Sequence, residues 1–519
     1  MSLPINIGDF LTKRAELNPD KEALYDATMN KRFSYRELNA RANQVCHALQ
    51  SLGLKHGDRL ALLAFNGHEY IESFFGPAKA GMVIMPLNWR LTAKELSFIL
   101  KDGGAKVMIY HAGFSSIVDE LRAMGEEGST IEHWICINEE TVSNSEPDLL
   151  DYESLLSEQS SNEPGEKADA DDMLFIMYTS GTTGLPKGVV HTHETQLWAV
   201  LTIRNTSDGG PSDRYLVLLP LFHVGALTPM IVMLYVGCSL VINREFDPVR
   251  TWQQIESEKI TTTLAVPAML NFMLQVPNFE QFDWSSIRWM MSGAAPVPVS
   301  TIEKYQAIGI EIHQVYGLTE TCAPACLITT DDANRKKGST GRAFFHTEVK
   351  VVDDDGNELP PGEAGEVLIR GRHIMREYWN RPDASAEALK GGWLHSGDIA
   401  IKDDEGFIFI QDRKKDMVIS GGENVYPAEV ENVLLQHPGV ADAAVIGHDS
   451  EKWGESPFAV IVKADPDLTE QSVLEHCNGK LARFKQPKGA AFIDAIPRNP
   501  SGKILKRVLR DQFPGPAKE

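Results

Sequence analysis

A run of glycines and hydroxyl side chains directly follows a short apolar segment, and this junction constrains the fold more than any other part of the chain. The apolar segment is 173–177, and residues 178–189 read Tyr-Thr-Ser-Gly-Thr-Thr-Gly-Leu-Pro-Lys-Gly-Val. Glycines let backbone N–H groups turn toward an anion, hydroxyls add donors, and a lysine adds a positive charge. The pattern predicts a strand followed by a loop for a polyphosphate, against the alternative of a plain flexible turn. It is not a Walker A loop, because Lys187 is followed by Gly188.

The composition is that of an ordinary globular chain with an excess of acidic residues. Of 519 residues, 43% are hydrophobic and 24% are charged, and this length predicts about three or four compact units. The 50 basic and 72 acidic side chains give a net charge of −22, which argues against nucleic-acid binding and limits membrane contact to a peripheral one. Six cysteines are scattered without a CxxC pair, so we expect reduced thiols in a cytoplasmic protein.

Helices and strands alternate along the first part of the chain. Two capping boxes, Ser34-Tyr-Arg-Glu37 and Thr92-Ala-Lys-Glu95, predict helix starts. The most apolar segment, 226–242, is interrupted by proline and glycine, so it predicts a buried helix and a strand rather than a membrane span. The short apolar runs that predict strands are residues 60–64, 107–110, 215–219 and 264–266. This alternation predicts an α/β architecture with buried, mostly parallel sheets.

The pattern changes near residue 412. A predicted strand, 407–410, is followed by the charged run Asp412-Arg-Lys-Lys-Asp416, which contains no apolar residue. Pro427 then opens a predicted helix. Two strands (443–446 and 458–462) and a helix (473–481) follow it. We therefore expect a domain at 1–411, a smaller α+β domain at 412–519, and a hinge at 412–416.

Three further segments carry polar chemistry in a fixed order: Tyr316-Gly-Leu-Thr-Glu320, Trp393-Leu-His-Ser-Gly-Asp398 and Pro500-Ser-Gly-Lys-Ile504. An aromatic ring can lie on a purine, a hydroxyl can reach a phosphate, and a carboxylate can hold Mg²⁺. A second carboxylate offers two acceptor oxygens to the two hydroxyls of a ribose. Together with 178–189, these segments resemble the adenylate-forming superfamily, which contains acyl-CoA synthetases, peptide-synthetase adenylation domains and luciferases.

The resemblance covers nearly the whole chain and implies both fold and reaction. The implied fold is α/β, with a large N-terminal lobe of layered α/β subdomains and a small mobile α+β C-terminal domain. The implied reaction is an ATP- and Mg²⁺-dependent ligation of a carboxylic acid to CoA, through an acyl-AMP intermediate. The chain is most similar to bacterial and mycobacterial long-chain fatty-acyl-CoA synthetases. Open alternatives are a feruloyl- or hydroxycinnamoyl-CoA ligase, an enzyme that loads a carrier protein, and a luciferase-like oxygenase.

The resemblance also assigns the nucleotide site. Tyr316 would stack on adenine, Thr319 would contact phosphate, and Glu320 would hold Mg²⁺. Asp398 would take both ribose hydroxyls, with Arg413 assisting. The other ATP- or AMP-binding residues would be Thr179, Ser180, Gly181, Thr182, Thr183, Gly184, Lys187, Gly293, Ala294, Ala295, Gly317, Trp393 and Ser420.

The catalytic residue implied by the resemblance is Lys503, whose charge would lie between the attacking carboxylate and the α-phosphate. Thr319, Glu320 and His223 would act beside it. Lys415 stands at the hinge position of the family, about which the small domain would rotate after adenylation. The rotation would bring the CoA-binding residues to the site: Gly421, Gly422, Glu423, Trp453 and Phe484.

The acid is indicated by the segment 220–225, which resembles the lining of the acyl pocket in this superfamily. The residues that follow His223 include Val224, Leu227 and Met230 and contain no carboxylate or guanidinium. An amino acid would need a buried counter-ion there, so an apolar acid is favoured, and the resemblance to long-chain synthetases implies a fatty acid. We expect ATP, CoA and this acid as partners, and the resemblance allows a homodimer. His191 and His193 are expected to pack rather than to bind a metal.

Overall fold

The computed structural model describes residues 5–138, 149–179, 185–413, 416–420, 423–450, 453–498 and 502–515. The helices in these ranges are α1 (Asp9–Leu17), α2 (Tyr35–Ser51), α3 (His68–Lys79), α4 (Ala93–Gly103), α5 (Ser115–Ala123), α6 (Tyr152–Ser157), α7 (His193–Thr206), α8 (Val224–Val236), α9 (Pro248–Ser257), α10 (Pro267–Leu274), α11 (Val299–Ala307), α12 (Thr330–Ala333), α13 (Pro382–Ala388), α14 (Pro427–Leu434), α15 (Glu470–His476) and α16 (Lys506–Gln512).

The strands in the same ranges are β1 (Glu22–Asp26), β2 (Lys31–Ser34), β3 (Arg59–Leu63), β4 (Val83–Pro86), β5 (Ala105–His111), β6 (His133–Ile137), β7 (Leu149–Asp151), β8 (Met173–Thr179), β9 (Lys187–Thr192), β10 (Arg214–Val217), β11 (Ser239–Ile242), β12 (Thr262–Ala265), β13 (Trp289–Ser292), β14 (Ile312–Tyr316), β15 (Cys326–Leu327), β16 (Arg342–Ala343), β17 (Glu348–Val352), β18 (Ala364–Arg370), β19 (Glu377–Tyr378), β20 (Leu394–Lys402), β21 (Ile408–Arg413), β22 (Val418–Ser420), β23 (Glu423–Val425), β24 (Val440–Ser450), β25 (Gly454–Lys463) and β26 (Ala490–Phe492).

Two large sheets form the centre of the N-terminal lobe. One runs β16-β15-β14-β13-β12-β10-β11-β1-β2 and the other β19-β9-β8-β4-β3-β5-β6-β7. The central strands of both sheets are parallel, and antiparallel pairs occur at their edges. Buried residues of α2, α3 and α8 share one apolar core with strands of both sheets. The predicted α/β layers of the large lobe are therefore confirmed.

A third sheet of the lobe, β17-β18-β20-β21, corrects the expectation of mostly parallel sheets, because all of its pairs are antiparallel. It packs through β18 and β20 against Val189 of β9 and Cys326 of β15. Its last strand, β21, runs to Arg413, three residues beyond the predicted end at 410. The strand continues because Arg413 is paired with Asp398 in the register of β20 and β21.

The C-terminal part forms its own sheet, β23-β22-β25-β24, with β26 parallel to β25. Helices α14 and α15 contribute Val430 and Val473 to its core. Helix α16 packs Leu509 on the opposite face, beside Ala444 and Ile446. This small α+β unit confirms the predicted fold class.

Local signals gave correct element positions in the large lobe. Both capping boxes are formed, with Ser34 at the start of α2 and Thr92 at the start of α4. The apolar segment 226–242 is helix α8 followed by strand β11, and both are buried. Within the described residues, no helix is both long enough and apolar enough to cross a membrane.

Candidate active site

The carboxyl ends of parallel strands bring the sequence-predicted segments together. Strands β13 and β14 are neighbours, with Ser292 opposite Gln314. Their loops therefore place residues 293–295 beside Tyr316 at one edge of the sheet, where ligands of α/β proteins bind. A Cβ atom on Gly293 would lie 2.6 Å from the carbonyl oxygen of Val315, so only glycine allows this approach of the two loops.

Asp398 is held from two sides. The hydroxyl of Tyr316 donates to its Oδ2 at 2.7 Å, and Nε of Arg413 lies 2.9 Å from its Oδ1. Asp398 is only 5% exposed, so the arginine supplies the counter-charge that a buried carboxylate requires. Burial and the neighbouring carboxylate raise the pKa of the Tyr316 phenol well above its usual value. Each carboxylate oxygen can accept a second hydrogen bond, so both remain able to receive a hydroxyl.

Glu320 and Lys187 meet on a third residue, Tyr378. The Tyr378 hydroxyl donates to Glu320 Oε1 at 2.7 Å, and Nζ of Lys187 lies 4.9 Å from the centre of the Tyr378 ring. Strand β19 carries Tyr378 and pairs with β9, which begins at Lys187. The end of the glycine-rich loop and the acidic residue after β14 therefore face the same tyrosine.

The segment from Tyr316 to Ala323 is anchored by two buried histidines. Nε2 of His191 lies 2.7 Å from the carbonyl oxygen of Thr319, and Nδ1 of His373 lies 2.9 Å from that of Thr321. Burial lowers the pKa of both histidines to about 4, so both are neutral at pH 7 and donate through a ring N–H. They fix the backbone on either side of Glu320.

Gly317 in the same segment leaves no room for a side chain. A Cβ atom there would lie 1.4 Å from the carbonyl oxygen of Ala323.

His193 packs as expected, because the Ile7 backbone N–H donates to its Nδ1 at 3.0 Å. Both members of the predicted packing pair, His191 and His193, are thus engaged by protein groups.

His223 is the N-cap residue of α8, and one of its ring nitrogens has no hydrogen-bond partner among the described residues. Its Nε2 is buried and has no hydrogen-bond partner among the described residues, and the same is true of Oγ of Ser292. Burial, followed by the charge of Arg90, lowers the pKa of His223 to about 4. Buried polar atoms are rarely left unpaired, so each of these two atoms keeps a hydrogen-bonding position that a ligand can fill.

The loop of Lys503 reaches from the small domain to the large lobe. A Cβ atom on Gly502 would lie 2.9 Å from Cγ2 of Val266, the residue that follows β12. Arg498 shapes this loop by donating to the Gly502 carbonyl oxygen at 2.9 Å. Since β12 neighbours β13, Gly502, the residue before Lys503, lies near the sheet edge that holds the 293–295 and 316–320 segments.

Other sequence-predicted residues lie away from this edge. Trp393 packs against the cations of Lys350 and Arg370 in the antiparallel sheet. In the small domain Trp453 is 42% exposed and Phe484 packs on the core. Ser420 and Glu423 face each other across the β22–β23 pair of that domain. Ser180, Gly181, Thr182, Thr183, Gly184, Lys415, Gly421 and Gly422 lie outside the described residues.

Sequence reasoning missed Tyr378, His191 and His373 as parts of the site. Tyr378 carries no motif, and its contact with Glu320 depends on pairing between β9 and β19. His191 and His373 act through backbone carbonyls, which no residue pattern encodes. The position of His191 directly after the glycine-rich loop was the one available signal.

Comparison with known proteins agrees with the family that the sequence motifs indicate. A family model described as AMP-binding enzyme matches residues 11–379, and one described as AMP-binding enzyme C-terminal domain matches residues 429–503. The chain is 45% identical to the long-chain-fatty-acid–CoA ligase FadD13 of Mycobacterium tuberculosis over 508 residues, which cover 98% of either chain. It is 36% identical to the feruloyl-CoA synthase of Amycolatopsis sp over 509 residues, covering 98% of this chain and 99% of the relative.

A solved structure of the anthranilate CoA ligase AuaEII in complex with anthranoyl-AMP is 28% identical to the chain, with a TM-score of 0.91. The match covers 99% of this chain and 98% of that structure, so it includes both domains. The matched family models include the 293–295 and 316–320 segments, Tyr378 and Gly502, whereas Asp398 and Arg413 lie between the two matched ranges. The chain therefore belongs to the AMP-binding enzymes, the adenylate-forming superfamily that contains the acyl-CoA ligases.

Proposed function

We propose that the protein is an ATP-dependent fatty-acid–CoA ligase that works through an acyl-AMP intermediate. The observation that carries the proposal is the contact of Gly502 with Val266, which supports an approach of the neighbouring Lys503 to the edge that bears Tyr316, Glu320 and Asp398. A nucleotide-binding edge and a mobile cation are the two parts that adenylation requires.

In the first step, a carboxylate oxygen of the acid attacks the α-phosphorus of ATP, and pyrophosphate leaves. Asp398 holds the ribose hydroxyls and Tyr316 lies against the adenine. Lys503 balances the charge of the two anions as they approach, which lowers the barrier because it is positioned beforehand. The hydroxyl of Thr319 donates a hydrogen bond to a phosphate oxygen.

Glu320 fits the role of magnesium ligand. One of its oxygens accepts from Tyr378, and the other has no hydrogen-bond partner among the described residues. Mg²⁺ typically takes one or two carboxylates and completes its shell with water and phosphate oxygens. When bound, the ion supplies positive charge that stabilises the pyrophosphate leaving group.

In the second step, the CoA thiol attacks the acyl carbon, forming the thioester and releasing AMP. We propose that the small domain first rotates about Lys415, so that the chain after this residue moves and Lys503 is withdrawn. The segment from Gly421 to Glu423 would then approach the pantetheine, with Trp453 and Phe484 nearer the CoA nucleotide. The gap between the two matched families, from 379 to 429, contains this boundary and supports it.

A fatty acid is the proposed substrate. Helix α8 follows His223 and contains buried apolar residues such as Leu227 and Met230, which suit an acyl chain. The 45% identity to a long-chain fatty-acid ligase supports this choice over an aryl acid, because the feruloyl-CoA synthase is a more distant relative at 36%.

The test is AMP release from the purified protein across acids, from acetate to long-chain fatty acids and hydroxycinnamates, with and without CoA. We expect the highest kcat/KM for fatty acids and a strict dependence of steady AMP release on CoA. A preference for hydroxycinnamates would overturn the substrate but keep the mechanism. Adenylate formation with no response to CoA would indicate transfer to a carrier protein instead.

We also propose that the enzyme acts in the cytoplasm, where ATP and CoA are available. All six cysteines are buried and free, which suits a reducing compartment. A homodimer and a peripheral membrane contact stay predictions.

A further inference from the structure

Asp412 belongs to the large lobe by its backbone and to the small domain by its side chain. Its backbone lies in β21, where it is paired with Ile399 of β20. Its Oδ2 accepts from the backbone N–H of Ala428 at 3.1 Å and lies 3.4 Å from Nζ of Lys506. Both partners lie in helices of the small domain, Ala428 at the start of α14 and Lys506 at the start of α16.

Lys506 is a buried cation with two carboxylate partners. Besides Asp412, Oε1 of Glu431 lies 3.1 Å from its Nζ, and the side chains of all three residues are at most 12% exposed. A buried charge that loses one partner is costly, so the geometry of this group is strongly favoured once formed. Lys506 follows Lys503 by three residues, so the position of Lys506 limits where the Gly502 loop can lie.

A second ion pair on α16 joins two residues that both follow the proposed hinge residue Lys415. Nη2 of Arg510 lies 3.1 Å from Oδ1 of Asp416, one helical turn beyond Lys506. Asp416 follows Lys415, whereas Asp412 precedes it. The Arg510–Asp416 and Lys506–Glu431 pairs therefore lie entirely on the small-domain side of Lys415, whereas the side-chain contacts of Asp412 cross the proposed hinge.

We propose that Asp412 and Lys506 are positioning residues that hold the small domain in its adenylating orientation. The inference rests on the proposed rotation about Lys415. While Asp412 binds Lys506 and the first turn of α14, the Gly502 loop is kept against Val266 and Lys503 is kept at the nucleotide. Rotation breaks both contacts of Asp412 and leaves the internal pairs of the small domain intact.

The first test compares two substitutions with matched chemistry. Asp412→Asn keeps an acceptor for the Ala428 N–H and removes the charge that faces Lys506. Arg510→Gln removes an ion pair of the same type, on the same helix, that does not cross the hinge. The readouts are the rate of acyl-AMP formation from acid and ATP, and the rate of thioester formation from supplied acyl-AMP and CoA.

We expect Asp412→Asn to slow acyl-AMP formation at least tenfold while thioester formation stays within about twofold of the parent. Arg510→Gln should leave the ratio of the two rates unchanged. An equal fall of both rates in Asp412→Asn would overturn the proposal, because a merely structural role would affect both steps. So would an equal change of the ratio in Arg510→Gln.

The second test does not depend on catalysis. Spin labels are attached at Lys94→Cys in the large lobe and Asp467→Cys in the small domain, both exposed positions, while the six native cysteines are buried. We expect the fraction of molecules at the distance of this structure to fall at least threefold in Asp412→Asn and to persist in Arg510→Gln. An unchanged distribution in Asp412→Asn would overturn the proposal even if the ligase reaction is confirmed. If the parent makes no acyl-CoA, the proposed function fails, and this distance still decides the role of Asp412.

Discussion

The nucleotide edge of the large lobe and the catalytic loop of the small domain are built in different ways. Asp398 is buried and fixed by Tyr316 and Arg413, and the backbone around Glu320 is fixed by neutral buried histidines. Gly502 instead meets the large lobe at the apolar side chain of Val266, and Lys506, four residues later, pairs with Asp412 near the proposed hinge. The side chains of the nucleotide edge are therefore held in position before any ligand binds. The position of the Gly502 loop depends on contacts between the two domains, which a domain rotation would break.

This difference assigns nucleotide binding to the rigid edge and the order of the two half-reactions to the movable loop. Donors and charges that are already in place stabilise a transition state without reorganisation at each turnover. Under the proposed rotation, Lys503 must also leave the site, so we expect its position to be set by a few contacts that break together. The two regions should therefore respond differently to substitution and to pH.

The largest expected effect is on the mobile side. Lys503→Ala should slow acyl-AMP formation by about a thousandfold, because no other group replaces its charge between the two anions. Thioester formation from supplied acyl-AMP should change little, since the proposed rotation withdraws Lys503 before that step. Both half-reactions are measured by AMP and pyrophosphate release, with the exposed Lys480→Ala as a control. Equal loss in both half-reactions would contradict the division of labour between the regions.

On the fixed side, Asp398→Asn should weaken ATP binding by about a hundredfold, or about 3 kcal/mol, because a charged hydrogen bond is lost and Arg413 is left without its carboxylate. Calorimetric titration with ATP measures the affinity. Glu348→Gln, which breaks an exposed pair with Arg370 in the same sheet, should have little effect. If the two variants bind ATP equally well, Asp398 is not part of the nucleotide site.

Acidification should weaken the fixed region. Burial lowers the pKa of His191 to about 4, below its value of about 6.5 in an unfolded chain. Its contribution to stability is therefore complete above pH 6.5 and is lost at about 1.4 kcal/mol per pH unit as the pH falls from 6.5 to 4.

Urea denaturation at pH 7.5 and pH 5.5 tests this dependence. In His191→Gln the loss of unfolding free energy between these two pH values should be smaller by about 1 kcal/mol, whatever the stability at pH 7.5. Replacement of His47, which bonds the Asn162 carbonyl oxygen near the surface, serves as the control. An undiminished pH dependence in His191→Gln would show that His191 titrates alike in the folded and unfolded chain.

The smallest effect concerns a contact inside the fixed region. Tyr378→Phe removes the hydroxyl that donates to Glu320 at 2.7 Å. We expect the Mg²⁺ concentration for half-maximal adenylation to rise about fivefold, equivalent to about 1 kcal/mol for one hydrogen bond. Tyr25→Phe, which loses a surface hydrogen bond to Asn30, should leave it unchanged. An unaltered magnesium requirement in Tyr378→Phe would remove Glu320 from the role of metal ligand.

Features that depend on neighbours in the chain were predictable from sequence. Ser34 and Thr92 mark helix starts because their hydroxyls bond a backbone N–H three residues later. The α8 and β11 segment was predictable from its continuous apolar content and its interruptions. The order of the four motifs gave the family. By contrast, the antiparallel β17–β21 sheet and the extension of β21 to Arg413 depend on pairing with distant strands.

The sequence by itself determined the superfamily, the two-domain α/β and α+β plan, and the chemical groups that an adenylating site requires, because these are encoded in local spacing and side-chain type. Only the tertiary structure decided that Tyr378 joins Lys187 to Glu320 and that Asp412 reaches Ala428 and Lys506 in the small domain. Such contacts arise from strand pairing and domain orientation. The physical reason is that a hydrogen bond depends on distance in space, which a linear pattern does not specify.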